Sequence, residues 1–182
     1  MKPFAEILDE HGVPEYLKID IEGNDRLCVD ALAGRTLPKY ISVEAECVSD
    51  TKTLLDSEAL AMIDSLCRVG YKRFKLVNQV NLLPVRSEAG QLAMRVVTSL
   101  ARGRLRLPGT SKIAEKFADY AKLSALNYSF SVGSTGPWGE DVPGSWMSYE
   151  AAEKIYLDER RKNFSQSGKP LYSFWNDWHA TY

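Results

Sequence analysis

The sequence contains no CxxC pair, no apolar run long enough to span a membrane, no GxxxxGK[ST] loop and no excess of either charge. Each absence excludes a class of protein. The three cysteines, Cys28, Cys47 and Cys67, lie far apart in apolar surroundings, and their odd number fits reduced core thiols better than a zinc site or a disulfide frame. No metal site is assigned. The opening MKPFAEILDEHG is amphipathic and acidic, unlike the basic-then-apolar start of a secretory leader, so a cytoplasmic location without a transmembrane segment is expected. With 23 Lys and Arg against 24 Asp and Glu, the formal net charge is −1, and nothing global calls for nucleic acid. The 182 residues, 45% hydrophobic, suffice for one core and a small appendage.

The most informative stretch is Tyr16 to Gly23, YLKIDIEG. Tyr16, Leu17, Ile19 and Ile21 suit a strand, and the acids Asp20 and Glu22 fall at its carboxyl end. Gly23 and Asn24 then turn the chain. Leu27, Cys28, Ala31 and Leu32 recur at helical spacing, with Asn24 as N-cap and Gly34 just past the end. The next strand, YISVEAE from Tyr40 to Glu46, also ends in acids, Glu44 and Glu46. If the two strands are parallel neighbours joined by this helix, both acidic ends lie on one edge of the sheet, where ligands of open α/β sheets bind. The same acids also fit a plainer role as strand-end and capping groups.

Phe4, Ile7 and Leu8 give a short helix before the first strand, ended by Gly12 and Pro14. Further on, Leu55, Ala59, Met62, Ile63, Leu66 and Val69 keep to one helical face, with Asp56 or Ser57 as cap and Gly70 as stop, and Tyr71 to Gln79 follows as a third strand. This order predicts a parallel α/β sheet with helices packed on it. Residues 1–80 form its strand and helix core. Residues 81–127 change character, carrying Arg86, Arg95, Arg102, Arg104 and Arg106 in a basic helical insertion with apolar residues between. Residues 128–182 hold a glycine- and tryptophan-rich loop, a helix opened by Ser148 and a closing aromatic strand. The loop, with Trp138 and Trp146, reads as an ordered substrate wall or an irregular connection. His179 reads as a possible general base or as a structural histidine.

KIDIEGND before a helix, PKYISVEAE, a helix ending GYKRFKLVNQ, then GSTGPWGEDVPGSW and WNDWHA together resemble the second half of FkbM-family S-adenosylmethionine-dependent methyltransferases. The resemblance covers most of the chain. It implies a partial Rossmann-like class I methyltransferase sheet, mostly parallel, with helices on both faces. Tyr16 to Asp20 is then the fourth strand, Tyr40 to Glu46 the fifth, Tyr71 to Gln79 the sixth, and Tyr172 to Trp178 the last, inserted antiparallel beside the sixth. No GxGxG-type turn follows any strand, and too few residues precede Asp20 for three strands and their helices. The expectation is therefore a truncated domain without its cofactor-binding half. Its Tyr16 to Ile21 edge is then open to self-association or to a partner half.

By this resemblance the activity is methyl transfer from S-adenosylmethionine, most simply to a hydroxyl of a small molecule or glycan. Asp20, Gly23 and Asn24 would face the cofactor, and Asp20, Glu22 and His179 are the candidates for general base. Glu44, Glu46 and Trp138 would meet the acceptor. The alternative is an inactive half-domain that serves as an interaction module or completes a separate cofactor-binding half.

Overall fold

The computed structural model describes residues 2–21, 23–45, 56–79, 82–85, 136–167 and 175–182. All belong to one compact unit made of Met1–Val85 and Thr135–Tyr182. In chain order its elements are α1 (Phe4–His11), β1 (Tyr16–Ile19), α2 (Asp25–Asp30), β2 (Tyr40–Glu44), α3 (Asp56–Ala59), α4 (Ala61–Val69), β3 (Arg73–Asn78), β4 (Leu83–Pro84), a 3₁₀ turn (Gly139–Asp141), α5 (Tyr149–Ser167) and β5 (Asn176–Thr181). The arginine-rich stretch from Arg86 onward lies outside the described residues, whereas Leu83–Pro84 joins the sheet as its last strand.

The sheet order is β1-β2-β5-β3-β4. β1 and β2 are parallel, as their connection through α2 requires. β5 runs antiparallel to both β2 and β3 and lies between them. The expectation of a mostly parallel sheet is corrected accordingly: one neighbouring pair is parallel and the rest are antiparallel. The reason is topological. β1, β2 and β3 share a direction, but the reversed C-terminal strand separates β2 from β3. The closing strand also starts later than the resemblance implies, at Asn176.

Alternation along these strands sorts the sheet into two unlike faces. One carries Leu17, Ile19, Ile41, Val43, Phe74, Leu76, Trp178 and Ala180, which join one apolar core with Val29 and Leu32 near α2, Ile63 and Leu66 of α4, and Ala152 and Tyr156 of α5. The other face is polar, and registered pairs across it form three ladders. Tyr16, Tyr40, Thr181 and Arg73 make the first; Lys18, Ser42, His179 and Lys75 the second; Glu44, Asp177 and Val77 the third, which Asp20 extends just past the end of β1. Helices were expected on both faces. Among the described residues they pack on the apolar face, and the polar face is covered by the segment 136–147.

That segment is held by aromatic stacking. Trp138 lies parallel to Tyr16 at 4.9 Å between ring centroids, and Trp146 stacks on Tyr40 at 6.1 Å. Gly139 lies between the two tryptophans at φ 61°, and a β-carbon there would sit 3.0 Å from the Tyr40 ring. Both its backbone conformation and the space over Tyr40 require glycine. All six residues of β5 are buried although only alternate ones face the apolar core, in keeping with a covered polar face.

Candidate functional site

Three strands end their polar ladder at the same edge, and acids accumulate there. Ile19 pairs with Val43, so Asp20, next along the chain, falls beside Glu44. Glu44 pairs with Asp177. Asp177 is buried, and its carboxylate accepts from Lys18 Nζ at 3.0 Å. The same ammonium lies 3.5 Å from Asp20, whose side chain is 55% exposed. Lys18 thus reaches from the second ladder to two acids of the third.

A fourth carboxylate shapes the turn beyond β1. Asp25 at the start of α2 is fully buried, and it accepts from the Ile21 N–H at 3.0 Å and from the Gly23 N–H at 3.2 Å. Asn24 occupies the N-cap position but makes no side-chain capping bond. The capping work expected of Asn24 is therefore replaced by Asp25 gripping the preceding turn. Gly23 at φ 91° supplies the left-handed step that brings its own N–H round to that carboxylate.

The electrostatics of this edge single out Glu44. Burial raises its pKa, the carboxylates of Asp177, Asp25 and Asp20 raise it further, and Lys18 pulls the other way, leaving it at about 7. Burial also raises Asp177, with the Lys18 charge and hydrogen bond opposing it. For Lys18 itself burial works downward, but the charge and hydrogen bond of Asp177, with the charges of Asp20 and Tyr16, together outweigh it and the ammonium is held above its ordinary value. The edge is thus an acid cluster with one shared cation, in which Glu44 takes up a proton near neutrality.

The structure brings Asp20 and Glu44 together and places Gly23 and Asn24 on the adjoining turn. Glu22 and Glu46 lie outside the described residues. His179 stands in the second ladder, two residues along β5 from Asp177 and so about 7 Å from the edge row. There it is buried, and desolvation followed by the charges of Lys18 and Lys75 lowers its pKa to about 3, so it is neutral at physiological pH. Trp138 stacks on Tyr16 and meets Tyr40 at a tilt, at the amino ends of β1 and β2, the opposite end of these strands from Asp20 and Glu44. The residues that sequence reasoning left out of the site are Lys18, Asp25 and Asp177. Alternation signals Lys18 alone, which shares a face with Asp20; Asp177 depends on the pairing of β5 with β2, and Asp25 on the turn before α2, neither of which the pattern gives.

Among the described residues no group of three or more His, Cys, Asp or Glu is arranged to hold a metal ion. No described helix is long and apolar enough to cross a membrane. Comparison with known proteins gives no match to any family model, curated protein or solved structure.

Proposed function

We propose that the chain is the acceptor-side portion of an S-adenosylmethionine-dependent O-methyltransferase. The observation that carries this reading is the edge at which Asp20, Glu44 and Asp177 meet beside the Gly23 and Asn24 turn, at the carboxyl ends of parallel strands. The insertion of β5 antiparallel beside β3, which the family resemblance implies for the last strand, supports it further.

Methyl transfer to oxygen is an in-line displacement at carbon: the acceptor oxygen forms the new bond as the bond to sulfur breaks, and the hydroxyl proton passes to a base. The protein contributes position and that base. Glu44 fits the role better than Asp20 or His179. A carboxylate that titrates near 7 is matched to receiving a proton at neutral pH, while His179 is shut beneath the strap. Asp20, exposed at the tip of β1, is placed to accept hydrogen bonds from cofactor hydroxyls or from the acceptor. The test is a calorimetric titration with S-adenosylmethionine. Binding is expected, and Asp20→Ala weakens it about tenfold or more through loss of a charged hydrogen-bond acceptor. No heat from the unaltered chain would overturn cofactor binding by this chain.

One observation favours a second reading, an interaction module that completes a separate cofactor-binding half. Among the described residues β1 pairs with β2 alone, and Ile21 beside its end is 50% exposed. A strand with one free side is a template for another strand, from a partner half or a second copy.

A further inference from the structure

The second ladder of the polar face holds two lysines with different surroundings. Lys18 reaches Asp177 and Asp20. Lys75, at the other end of the same ladder, has Val77 as its neighbour in the third ladder where Lys18 has an acid. It is nonetheless 1% exposed. Its ammonium donates to the Val142 carbonyl at 2.5 Å and lies 3.4 Å from the Gly139 carbonyl, both from the strap, with the Trp146 ring 4.2 Å away. The acid whose charge acts on it is Glu140, also on the strap, where its carboxylate accepts from Trp146 Nε1 at 3.0 Å and from the Tyr40 hydroxyl at 3.3 Å.

A buried ammonium held by neutral carbonyls is poorly compensated, because dipoles replace water but do not neutralise the charge. Beside it stands His179, Lys75's registered partner on β5. Its Nδ1 is buried and makes no hydrogen bond. The next residue in the row, Ser42, shares a 2.6 Å hydrogen bond with the Tyr16 hydroxyl. The row therefore offers an ammonium, an imidazole nitrogen and a hydroxyl side by side, with no acid of the sheet facing Lys75.

We propose that Lys75 and His179 form an oxyanion subsite, taking a carboxylate or phosphate group, in which the strap's Val142 and Gly139 carbonyl oxygens hold Lys75 when no ligand is bound. An incoming anion takes the positions of the Val142 and Gly139 oxygens on Lys75 and accepts from His179, and the strap lifts, carrying Glu140 away. The imidazole, neutral in the closed form because burial and the charges of Lys18 and Lys75 disfavour its cation, still donates from whichever ring nitrogen holds the proton. The anion weakens both causes by screening the two ammonium groups and opening the site to water. This subsite stands on the geometry of the strap and does not rest on the methyl-transfer reading.

The experiment is an NMR titration following the indole N–H signals of Trp138 and Trp146, with sodium phosphate in one arm and sodium acetate in another, against sodium chloride at equal ionic strength. Saturable shifts with phosphate or acetate beyond those with chloride are expected, and the arm that saturates at lower concentration identifies the anion class. Lys75→Met is expected to weaken the response about tenfold or more while far-ultraviolet circular dichroism stays unchanged. Glu140→Gln removes the strap carboxylate whose charge acts on Lys75 and is expected to tighten binding several-fold, a gain that a purely structural lysine does not produce; this variant decides the matter if Lys75→Met fails to fold. Shifts no larger than those with chloride, or binding left unchanged or weakened by Glu140→Gln, would overturn the proposal.

Discussion

Replacing Trp178 with alanine is expected to remove about 3–5 kcal/mol of folding stability, the usual cost of emptying a buried tryptophan site. Trp178 is the largest of the fully buried side chains and sits on β5, the strand that joins β2 to β3. Its ring lies 5.3 Å from Tyr156 of α5 and 6.5 Å from Phe74 of β3. Removing it opens a cavity where strand and helix layers meet, and a rigid sheet closes such a cavity poorly. A domain of this size has about 5–15 kcal/mol in total, so the variant is expected to be marginal at body temperature. Trp178→Phe retains most of the ring and discards an indole N–H that makes no hydrogen bond, so its loss is smaller. Urea unfolding followed by circular dichroism measures both. A Trp178→Ala loss below about 1 kcal/mol would contradict the placement of β5 at the centre of the core.

The second large effect concerns the cation of the acid edge. Lys18→Met leaves Asp177 buried without its ion pair, for which a loss of about 3 kcal/mol at neutral pH is expected, at the low end of the range because the Lys18 side chain is 21% exposed. The pH dependence has a definite sign. Burial already raises Asp177, and without Lys18 its folded pKa moves further above the unfolded value of about 3.9. The folded variant then binds more protons than the unfolded chain between those two values, so its stability falls as pH rises through that window. The deficit relative to the parent chain is smallest near pH 4 and complete above the folded pKa of Asp177. Adding Asp177→Asn to Lys18→Met is expected to recover much of the loss at neutral pH. An equal deficit at pH 4 and pH 8 would show that Lys18 acts through packing alone.

What the sequence revealed follows from periodicity. Alternation and strand-forming residues located β1 and β2, the Met62, Ile63 and Leu66 spacing located α4, and both strands were seen to end in acids. Their parallel pairing through α2 is what brings Asp20 beside Glu44. Helical spacing held in part at α2: Leu32 packs inward as expected, but Leu27, also expected inside, is 66% exposed, and Val29, which the spacing did not pick, is buried. In a helix of six residues one apolar position more or less changes the inferred face. Nothing in the sequence marks the break at Leu60 between α3 and α4, which contains neither glycine nor proline.

Strand order was the larger gap. The resemblance implied a reversed last strand beside the sixth, but alternation records which face a residue takes and not which strand lies beside it. Asp177 therefore could not be placed opposite Glu44 from the pattern of either strand. The polar face was hidden for a related reason. Lys18, Ser42, Lys75 and His179 alternate with apolar residues as a solvent-facing row does, yet Lys75 and His179 are buried, and among the described residues it is the strap that closes over Lys75. The glycine and tryptophan content of that strap fitted either a substrate wall or an irregular connection pinned by Trp138 and Trp146, and in its described part the two tryptophans do pin it. Its seat on Tyr16 and Tyr40, at the far end of the strands from the acid edge, depends on contacts distant in sequence.

The edge itself stands or falls on Glu44. In the folded chain it holds its proton to about pH 7, against about 4.3 when unfolded, so it favours folding below that window and loses this contribution as pH rises through it. The most direct measurement is a carbon-13 NMR titration of the Glu44 side-chain carboxyl in the intact chain, repeated in Asp177→Asn. The account predicts a midpoint near 7 in the parent and a lower one in the variant, from which a facing carboxylate has been removed. A midpoint near 4.3 in both would mean that the acids at this edge are ordinary strand-end carboxylates, with no base poised to take a proton from an acceptor.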